Sequence, residues 1–518
     1  MASIIITSWI QKLELTKPEF EDNSGDTDRL KVALQQKTGL QPVQIELPLL
    51  QKLPYILRDA DFKITCALMA GRELCLLCSL ESLPPQASFL GLAVDLGSTS
   101  LTLRLLDLSS SQTLTEQSFE NPQCAYGSDI LTRIHFASHP ENTQKLQEIL
   151  LDAINNGIHE LCATCGLSSA QITNIAVAGN TAMTHFLLNL PTQWMIREPY
   201  IPALNRPEPM RAPELGLDTC PGAGLLCFPN AGSYFGGDLF AGLLYSGLHK
   251  KQEISILVDV GTNAEVVLGN QDWLIACAGA AGPALEGGVS EIGKQAAPGI
   301  IDQVRIDARS LEFDLHTIDD LPAAGICGSG MIDLAAQLFL AGLLDFRGKF
   351  VPDRAPQLFK RQDDSLYLIL ADKNHTASGT DLLLGQAELD ILIRSKAAMY
   401  TILETLTSSI GLDLQDIDTF YVAGAFGNLI NPVSAIAIGM LPDLPLERFQ
   451  PLGNSSLEGC ALFLQQPGTL QELIQIENKV TYLELNVNQE FMNRFSAAKF
   501  LPHTDKTLFP SVQINNCP

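Results

Sequence analysis

Leu92-Ala93-Val94-Asp95-Leu96-Gly97-Ser98-Thr99 is an apolar run that ends in an acid, a glycine and two hydroxyl residues. The pattern returns at Ile256-Leu257-Val258-Asp259-Val260-Gly261-Thr262-Asn263. An alternating strand resumes after each, carried by Leu101, Leu103 and Leu105 in the first copy and by Val266 and Leu268 in the second. Two strands about a tight glycine turn make a β-hairpin. Asp95 and Asp259 lie 164 residues apart, about one domain length, so a duplicated fold is expected. Glycine lets backbone approach a ligand closely, and the amides that follow can point at phosphate oxygens. The hydroxyls of Ser98, Thr99 and Thr262 add donors. An aspartate at each strand end suits Mg²⁺, which takes one or two carboxylates, several waters and substrate phosphates. Asp-x-Gly-Ser/Thr is also a common turn; the second copy, after a matching strand, lifts the pair above that reading. A third turn, Phe420-Tyr421-Val422-Ala423-Gly424-Ala425-Phe426-Gly427-Asn428, leaves room for a flat ring or a sugar against the backbone. Taken alone it is weak, because strand–glycine–helix junctions occur in every α/β protein.

The rest of the 518 residues sets the frame. That length suggests about three domains. With 46% hydrophobic and 18% charged residues the chain is globular. Lys plus Arg is 33 against 58 acids, a net charge of −25. Such a field repels phosphate backbones, so nucleic acid is disfavoured as a partner. It also means that a bound phosphate needs backbone amides or a metal ion. No apolar run reaches the roughly 18 residues of a membrane span, and residues 1–10 carry no export signal. Twelve cysteines are too few for a disulfide scaffold, so a reduced, cytoplasmic protein is expected. Residues 1–80 read as a small α+β domain, with strands at 4–7, 43–47 and 62–68 and a helix at 27–36. Pro84-Pro85 marks a linker over 81–90. Strands then alternate with helices through a first lobe at 91–250 and a second at 251–490. The segment 491–518 is expected to return to the first lobe.

Two hairpins and a third turn, in this chain order, resemble the superfamily of sugar kinases, heat-shock 70 proteins and actin. The resemblance covers about residues 90–518. It implies an α/β fold of two ribonuclease-H-like, actin-type ATPase lobes around a nucleotide cleft, preceded by the small α+β domain. It also implies ATP and Mg²⁺ as ligands. Asp95 and Asp259 would hold the ion through water. Gly97, Ser98, Thr99, Gly261, Thr262 and Asn263 would cradle phosphates, and Gly424, Ala425, Phe426 and Gly427 would line the adenosine. In such proteins a connecting helix before the second hairpin orients the attacking water. Gly236-Gly237-Asp238 opens a helical run here, which makes Asp238 the candidate; an N-cap role is the alternative. Gly328 opens the helix after Gly325-Ile326-Cys327, where its N-terminus could face phosphate, or where glycine could serve close packing. Lys396, on a helix expected over 386–406, occupies the place of lysines that reach adenine or ribose; a solvated lysine is the alternative.

Longer strings narrow the family: Asn121-Pro122-Gln123 with Tyr126-Gly127-Ser128-Asp129, Ala178-Gly179-Asn180-Thr181-Ala182-Met183-Thr184-His185, Ala281-Gly282-Pro283-Ala284-Leu285-Glu286-Gly287, Gly325 to Gly330, and Gly453-Asn454. Together they resemble the reductive activators of corrinoid proteins, ATPases that return oxidised cob(II)alamin to cob(I). The resemblance implies ATP hydrolysis, a corrinoid protein as partner and a homodimer. Residues 1–80, with Asp22-Asn23 and Asp28-Arg29-Leu30, are similar to the family's small middle domain. Members usually carry an iron–sulfur domain, whose plant-type form needs C-x4-C-x2-C and a distant fourth cysteine. Cys66, Cys75 and Cys78 give C-x8-C-x2-C within apolar sequence and read as core thiols, so no iron–sulfur cluster is expected in this chain. Electrons would then come from a separate ferredoxin or other low-potential donor, or the protein would contribute only ATP-driven conformational work. His185 and His503 have no ligand partner at metal spacing and read as structural. A small-metabolite kinase of the same superfamily, or a nucleotide-gated interaction module with little turnover, are the competing readings.

Overall fold

The computed structural model describes residues 6–40, 42–85, 88–261, 264–279, 292–307, 309–362, 365–424, 430–483 and 489–513. Thr262, Asn263, Ala425, Phe426 and Gly427 lie outside the described residues. The chain forms two compact units. One comprises Met1–His249 with Ser455–Val480, the other Lys250–Asn454 with Thr481–Pro518.

In the first unit a six-stranded sheet runs in the order Gln112–Glu120, Ser100–Asp107, Leu90–Leu96, Ile172–Gly179, Gly224–Cys227, Met210–Arg211. Leu90–Leu96 pairs antiparallel with Ser100–Asp107 as the hairpin, and parallel with Ile172–Gly179 on its other side. Every residue of Ile172–Gly179 is buried, as expected of a strand covered on both faces. The long helix Pro140–Cys165 starts on a proline and stops at Gly166, which takes the left-handed conformation that favours glycine. Its Leu146, Leu150, Ile154 and Ile158 recur at helical spacing and pack into the core with Leu101, Leu103 and Leu105.

The second unit repeats the plan. Its main sheet contains Phe449–Gly453, Thr419–Ala423, Ser255–Val260, Ala264–Gly269 and Leu274–Gly279 in that order. Ser255–Val260 makes the antiparallel hairpin with Ala264–Gly269 and pairs parallel with Thr419–Ala423. The helix Gln386–Ser408 covers this sheet through Leu392, Met399, Ile402, Leu403 and Leu406, as its spacing predicts. Two three-stranded sheets complete the unit.

The residues before Pro84 build a four-stranded sheet in the order Ile10–Glu14, Lys63–Ala70, Cys75–Ser82, Val43–Gln44, within the first unit. Its first strand lies at Ile10–Glu14, later than the expected 4–7. A second helix, Leu47–Asp59, takes up part of the expected strand over 43–47. The return to the first unit is made by Ser455–Val480, whereas Thr481–Pro518 stays with the second, so the expectation for 491–518 is corrected. Apolar side chains explain the exchange. Leu457, Cys460, Phe463 and Leu464 of the helix Ser455–Gln465 are buried in the first unit, whereas Ala498, Leu501 and Phe509 join the second unit's core.

Candidate functional site

Asp95 stands one residue from the end of its strand, half-buried, opposite Thr102 in the hairpin and Ala178 in the parallel strand. Gly97 begins the turn. A Cβ there would lie 2.4 Å from the Ser100 carbonyl oxygen, so only glycine lets the chain double back so tightly. The neighbouring strand ends at Gly179, where a Cβ would come within 2.6 Å of the Leu96 carbonyl. Gly236 approaches closer still: its Cβ would lie 2.4 Å from the Asn180 Cα and 2.7 Å from the Gly179 oxygen. The Gly97 turn, the strand end at Gly179 and the helix start at Gly236 therefore meet beside Asp95. Sequence reasoning quoted Gly179-Asn180 without a role, yet its position after a buried strand was the available signal.

Asp238 enters this cluster on the first turn of Gly237–Ser246. Its Oδ1 accepts from its neighbour Leu239 N–H at 2.8 Å, so it is not a conventional N-cap reaching two or three residues ahead. Burial, joined by the like charge of Asp95, raises the Asp238 carboxyl to about 7, against the pull of the Leu239 amide. Two facing acids that resist joint ionisation, beside a turn with room for a ligand, suit a divalent cation and the anion it accompanies. The residues present therefore fit Mg²⁺ with a phosphate.

The helix Ser455–Gln465 holds this cluster from one side. Gly459 lets it cross Gly237–Ser246 closely, since a Cβ would lie 2.2 Å from the Ala241 oxygen. Glu458 takes a bidentate pair from Arg104 at 2.7 and 3.0 Å, which ties the helix to the hairpin strand. The Cys460 thiol donates to the Val94 carbonyl at 3.6 Å, one residue before Asp95.

In the second unit Asp259 is half-buried opposite Ala423 on the parallel strand, as Asp95 is opposite Ala178. Gly261 follows at the described end of the hairpin turn. Gly424, at φ +87°, sits against Asp259, and a Cβ would lie 2.4 Å from its Oδ1. The structure thus places Gly424 beside the second acidic turn, a neighbour that sequence reasoning assigned only to adenosine. Gly328 is the first residue of the buried helix Gly328–Leu340. Two residues on, a Cβ at Gly330 would lie 2.5 Å from the Ile301 oxygen, so Gly330 serves close packing.

Lys396 is turned away from any such role. It is fully buried, and its ammonium donates to the Phe500 and Pro502 carbonyls at 2.7 Å each. Burial pulls its pKa well down. It fastens the segment around Phe500 to its own helix and leaves the nucleotide set.

His185 is buried, with Nδ1 bonded to the Thr181 carbonyl and Nε2 accepting the Ala203 and Leu204 amides. Those bonds require a neutral ring, and burial lowers its pKa in agreement. Cys66 and Cys78 are core thiols pushed up to about 12 by burial, and Cys75 is raised for the same reason. Among the described residues no cluster of three His, Cys, Asp or Glu could hold a metal ion, and no helix is long and apolar enough to cross a membrane.

Comparisons with known proteins agree with this geometry. Three family models match in sequence: the RACo linker region over residues 7–82, the RACo middle region over 90–251, and the C-terminal domain of RACo, the ASKHA domain, over 253–513. The small N-terminal domain thus corresponds to the linker region, and the middle region is the first lobe, which corrects the expectation for residues 1–80. A solved reductive activator for a corrinoid, iron–sulfur protein superposes with a TM-score of 0.86 at 36% identity, covering 98% of this chain and 81% of that one. The corrinoid activation enzyme RamQ of Eubacterium limosum is 27% identical over 413 residues, 78% of this chain and 69% of RamQ. A reductase of the Co(II) methylated amine-specific corrinoid protein of Methanosarcina barkeri is 24% identical over 438 residues, 78% of this chain and 75% of that protein. The fold is the actin-like ATPase fold.

Proposed function

Because the chain belongs to the RACo family of reductive activators, we propose that it activates a corrinoid protein, coupling ATP hydrolysis to the reduction of inactive cob(II) to cob(I). The observation that carries the reading is the Asp95–Asp238 pair beside the Gly97 turn. Ser98, Thr99 and the turn amides bind phosphate oxygens in the first unit, and Gly261, Thr262 and Asn263 do so in the second. Gly424, Ala425, Phe426 and Gly427 take the adenosine, and Gly328 stands near the phosphates or ribose. Asp95 and Asp259 hold Mg²⁺ through water. That ion supplies neutralisation of phosphate charge.

Asp238 orients the attacking water by accepting one of its protons. A carboxyl whose pKa lies near the working pH is suited to that task, because a large share, about half, is unprotonated there while it is still basic. Phosphoryl transfer is mostly positioning and charge neutralisation, so one orienting carboxylate suffices. Cys66, Cys75 and Cys78 are buried thiols. We propose a separate low-potential donor such as a ferredoxin as the electron source, with a second copy of the chain completing a homodimer.

The test is phosphate release from Mg-ATP, measured without oxygen, with and without a corrinoid protein held as cob(II). Stimulation by the corrinoid protein is expected. The Asp259→Asn variant should lose most of the hydrolysis, about a hundredfold or more, and keep its fold. Equal turnover with and without the corrinoid protein, or phosphorylated metabolite formed in step with ADP, would overturn the assignment in favour of a kinase.

A further inference from the structure

We propose that Asn121, Cys124 and Arg133 form a brace behind the first hairpin turn, which aims its amides at phosphate and places a fixed positive charge beneath them. The inference rests on reading residues 97–99 as a phosphate site, and it gives a role to the Asn121-Pro122-Gln123 and Tyr126-Gly127-Ser128-Asp129 strings.

Asn121 is fully buried at the start of the short helix Pro122–Tyr126. Its Oδ1 caps that helix by accepting from the Gln123 amide at 2.9 Å. Its Nδ2 donates to the Gly97 carbonyl at 2.9 Å, and its backbone N–H donates to the Thr99 carbonyl at 2.8 Å. Both ends of the turn are therefore tied to one residue. Between them the Cys124 thiol lies 3.8 Å from the Ser98 carbonyl and 3.9 Å from that of Thr99. In a trans peptide the N–H points opposite to the preceding C=O. Drawing the carbonyls of residues 97–99 rearward thus turns the amides of residues 98–100 outward, where an anion can use them.

Arg133 supplies the charge. It is fully buried on the helix Ile130–Phe136, itself capped by Asp129. Its Nε donates to the Gly127 carbonyl at 2.8 Å, Nη2 to the Cys124 sulfur at 3.2 Å and Nη1 to the Met183 sulfur at 3.8 Å. The acceptors are a carbonyl, a cysteine sulfur and a thioether, and among the described residues no carboxylate forms an ion pair with it. Cys124 and, after it, Asp129 favour the charge. Burial pulls the pKa down, yet a guanidinium stays protonated. The cation sits within about 7 Å of the Ser98 carbonyl, inside one screening length at physiological salt. For pure packing, an apolar side chain of equal volume would serve as well or better. A buried cation with no carboxylate ion pair among the described residues, under the turn of a protein with net charge −25, fits the anion that the turn receives.

The test uses the full chain, with Mg-ATP and adenosine as probes in equilibrium binding. Arg133→Gln should weaken Mg-ATP by about tenfold and leave adenosine within about twofold, and Arg133→Lys should recover most of the loss. Asn121→Ser keeps a cap for Gln123 but loses the strut to Gly97, so it should also weaken Mg-ATP by about tenfold and spare adenosine. A purely structural role would weaken both probes alike, and that result, or wild-type Mg-ATP binding in both Arg133→Gln and Asn121→Ser, overturns the brace. Gly97→Ala tests the parent reading, because its Cβ would meet the Ser100 oxygen at 2.4 Å and deform the turn. If Gly97→Ala binds Mg-ATP normally, the phosphate reading fails and the brace with it. If only Gly97→Ala loses Mg-ATP, the brace alone fails.

Discussion

Replacing Asp238 by Asn should make the nucleotide-free, magnesium-free protein more stable, and the gain should grow with pH. The folded carboxyl titrates at about 7 against an ordinary value of 3.8, so the fold holds that proton more tightly than the unfolded chain does. The penalty for ionising it therefore begins as pH rises above 3.8 and is complete once pH passes about 7. Asparagine carries no such penalty, and its Oδ1 can still accept the Leu239 amide. The shift is about three units, and at about 1.4 kcal/mol per unit the ceiling is roughly 4 kcal/mol. With a sequence pI near 4.6 the protein is poorly soluble at low pH, which leaves the range from about pH 5.5 to about pH 8.5 for comparison. Across it the ceiling rises from about 2 to about 4 kcal/mol, and partial exposure of Asp238 trims the expected growth to roughly 1 kcal/mol. Urea unfolding of both proteins in EDTA measures this, followed by hydrogen exchange in Gly237–Ser246, since a two-unit chain need not unfold in one step. The same variant should lose ATP hydrolysis. Stability that rises while activity falls marks a strained functional group. A variant less stable than wild type at both pH values, or a gap that does not widen, would refute the reasoning.

Gly424→Ala should destabilise the second unit by about 2 kcal/mol or more, because the position needs φ +87° and a Cβ would strike Asp259 Oδ1 at 2.4 Å. Mg-ATP affinity should fall with it, and urea unfolding together with equilibrium binding checks both effects. Arg104→Gln removes the bidentate pair to Glu458 and should cost roughly 1 kcal/mol at low salt. The difference should shrink in molar salt; a salt-independent loss would mean that Arg104 acts through packing alone.

What the sequence discloses here is chemistry that is local in the chain. An apolar strand, an acid and a glycine turn lie within eight residues, and both copies are legible. The rest depends on which strand lies beside which. Val177-Ala178-Gly179 and Val422-Ala423-Gly424 are the same tripeptide, yet their equivalence emerges only from the registers that set Ala178 opposite Asp95 and Ala423 opposite Asp259. Helix Leu47–Asp59 is masked by Pro48 and Pro54, residues that argue against helix everywhere but its first turn. The direction of Lys396 is beyond any spacing rule, since a lysine on a helix reads the same whether it meets solvent or two buried carbonyls. Pairing also shows where the duplication stops. Gly236 leads into Gly237-Asp238 at the start of one helix, whereas Gly453, closing the strand Phe449–Gly453, leads into Asn454 and then Ser455, the first residue of a helix that belongs to the first unit. The second junction thus carries an amide and a hydroxyl residue where the first carries an acid. If Asp238 is the water-orienting carboxylate of the proposed mechanism, the second junction offers no acid at the matching position.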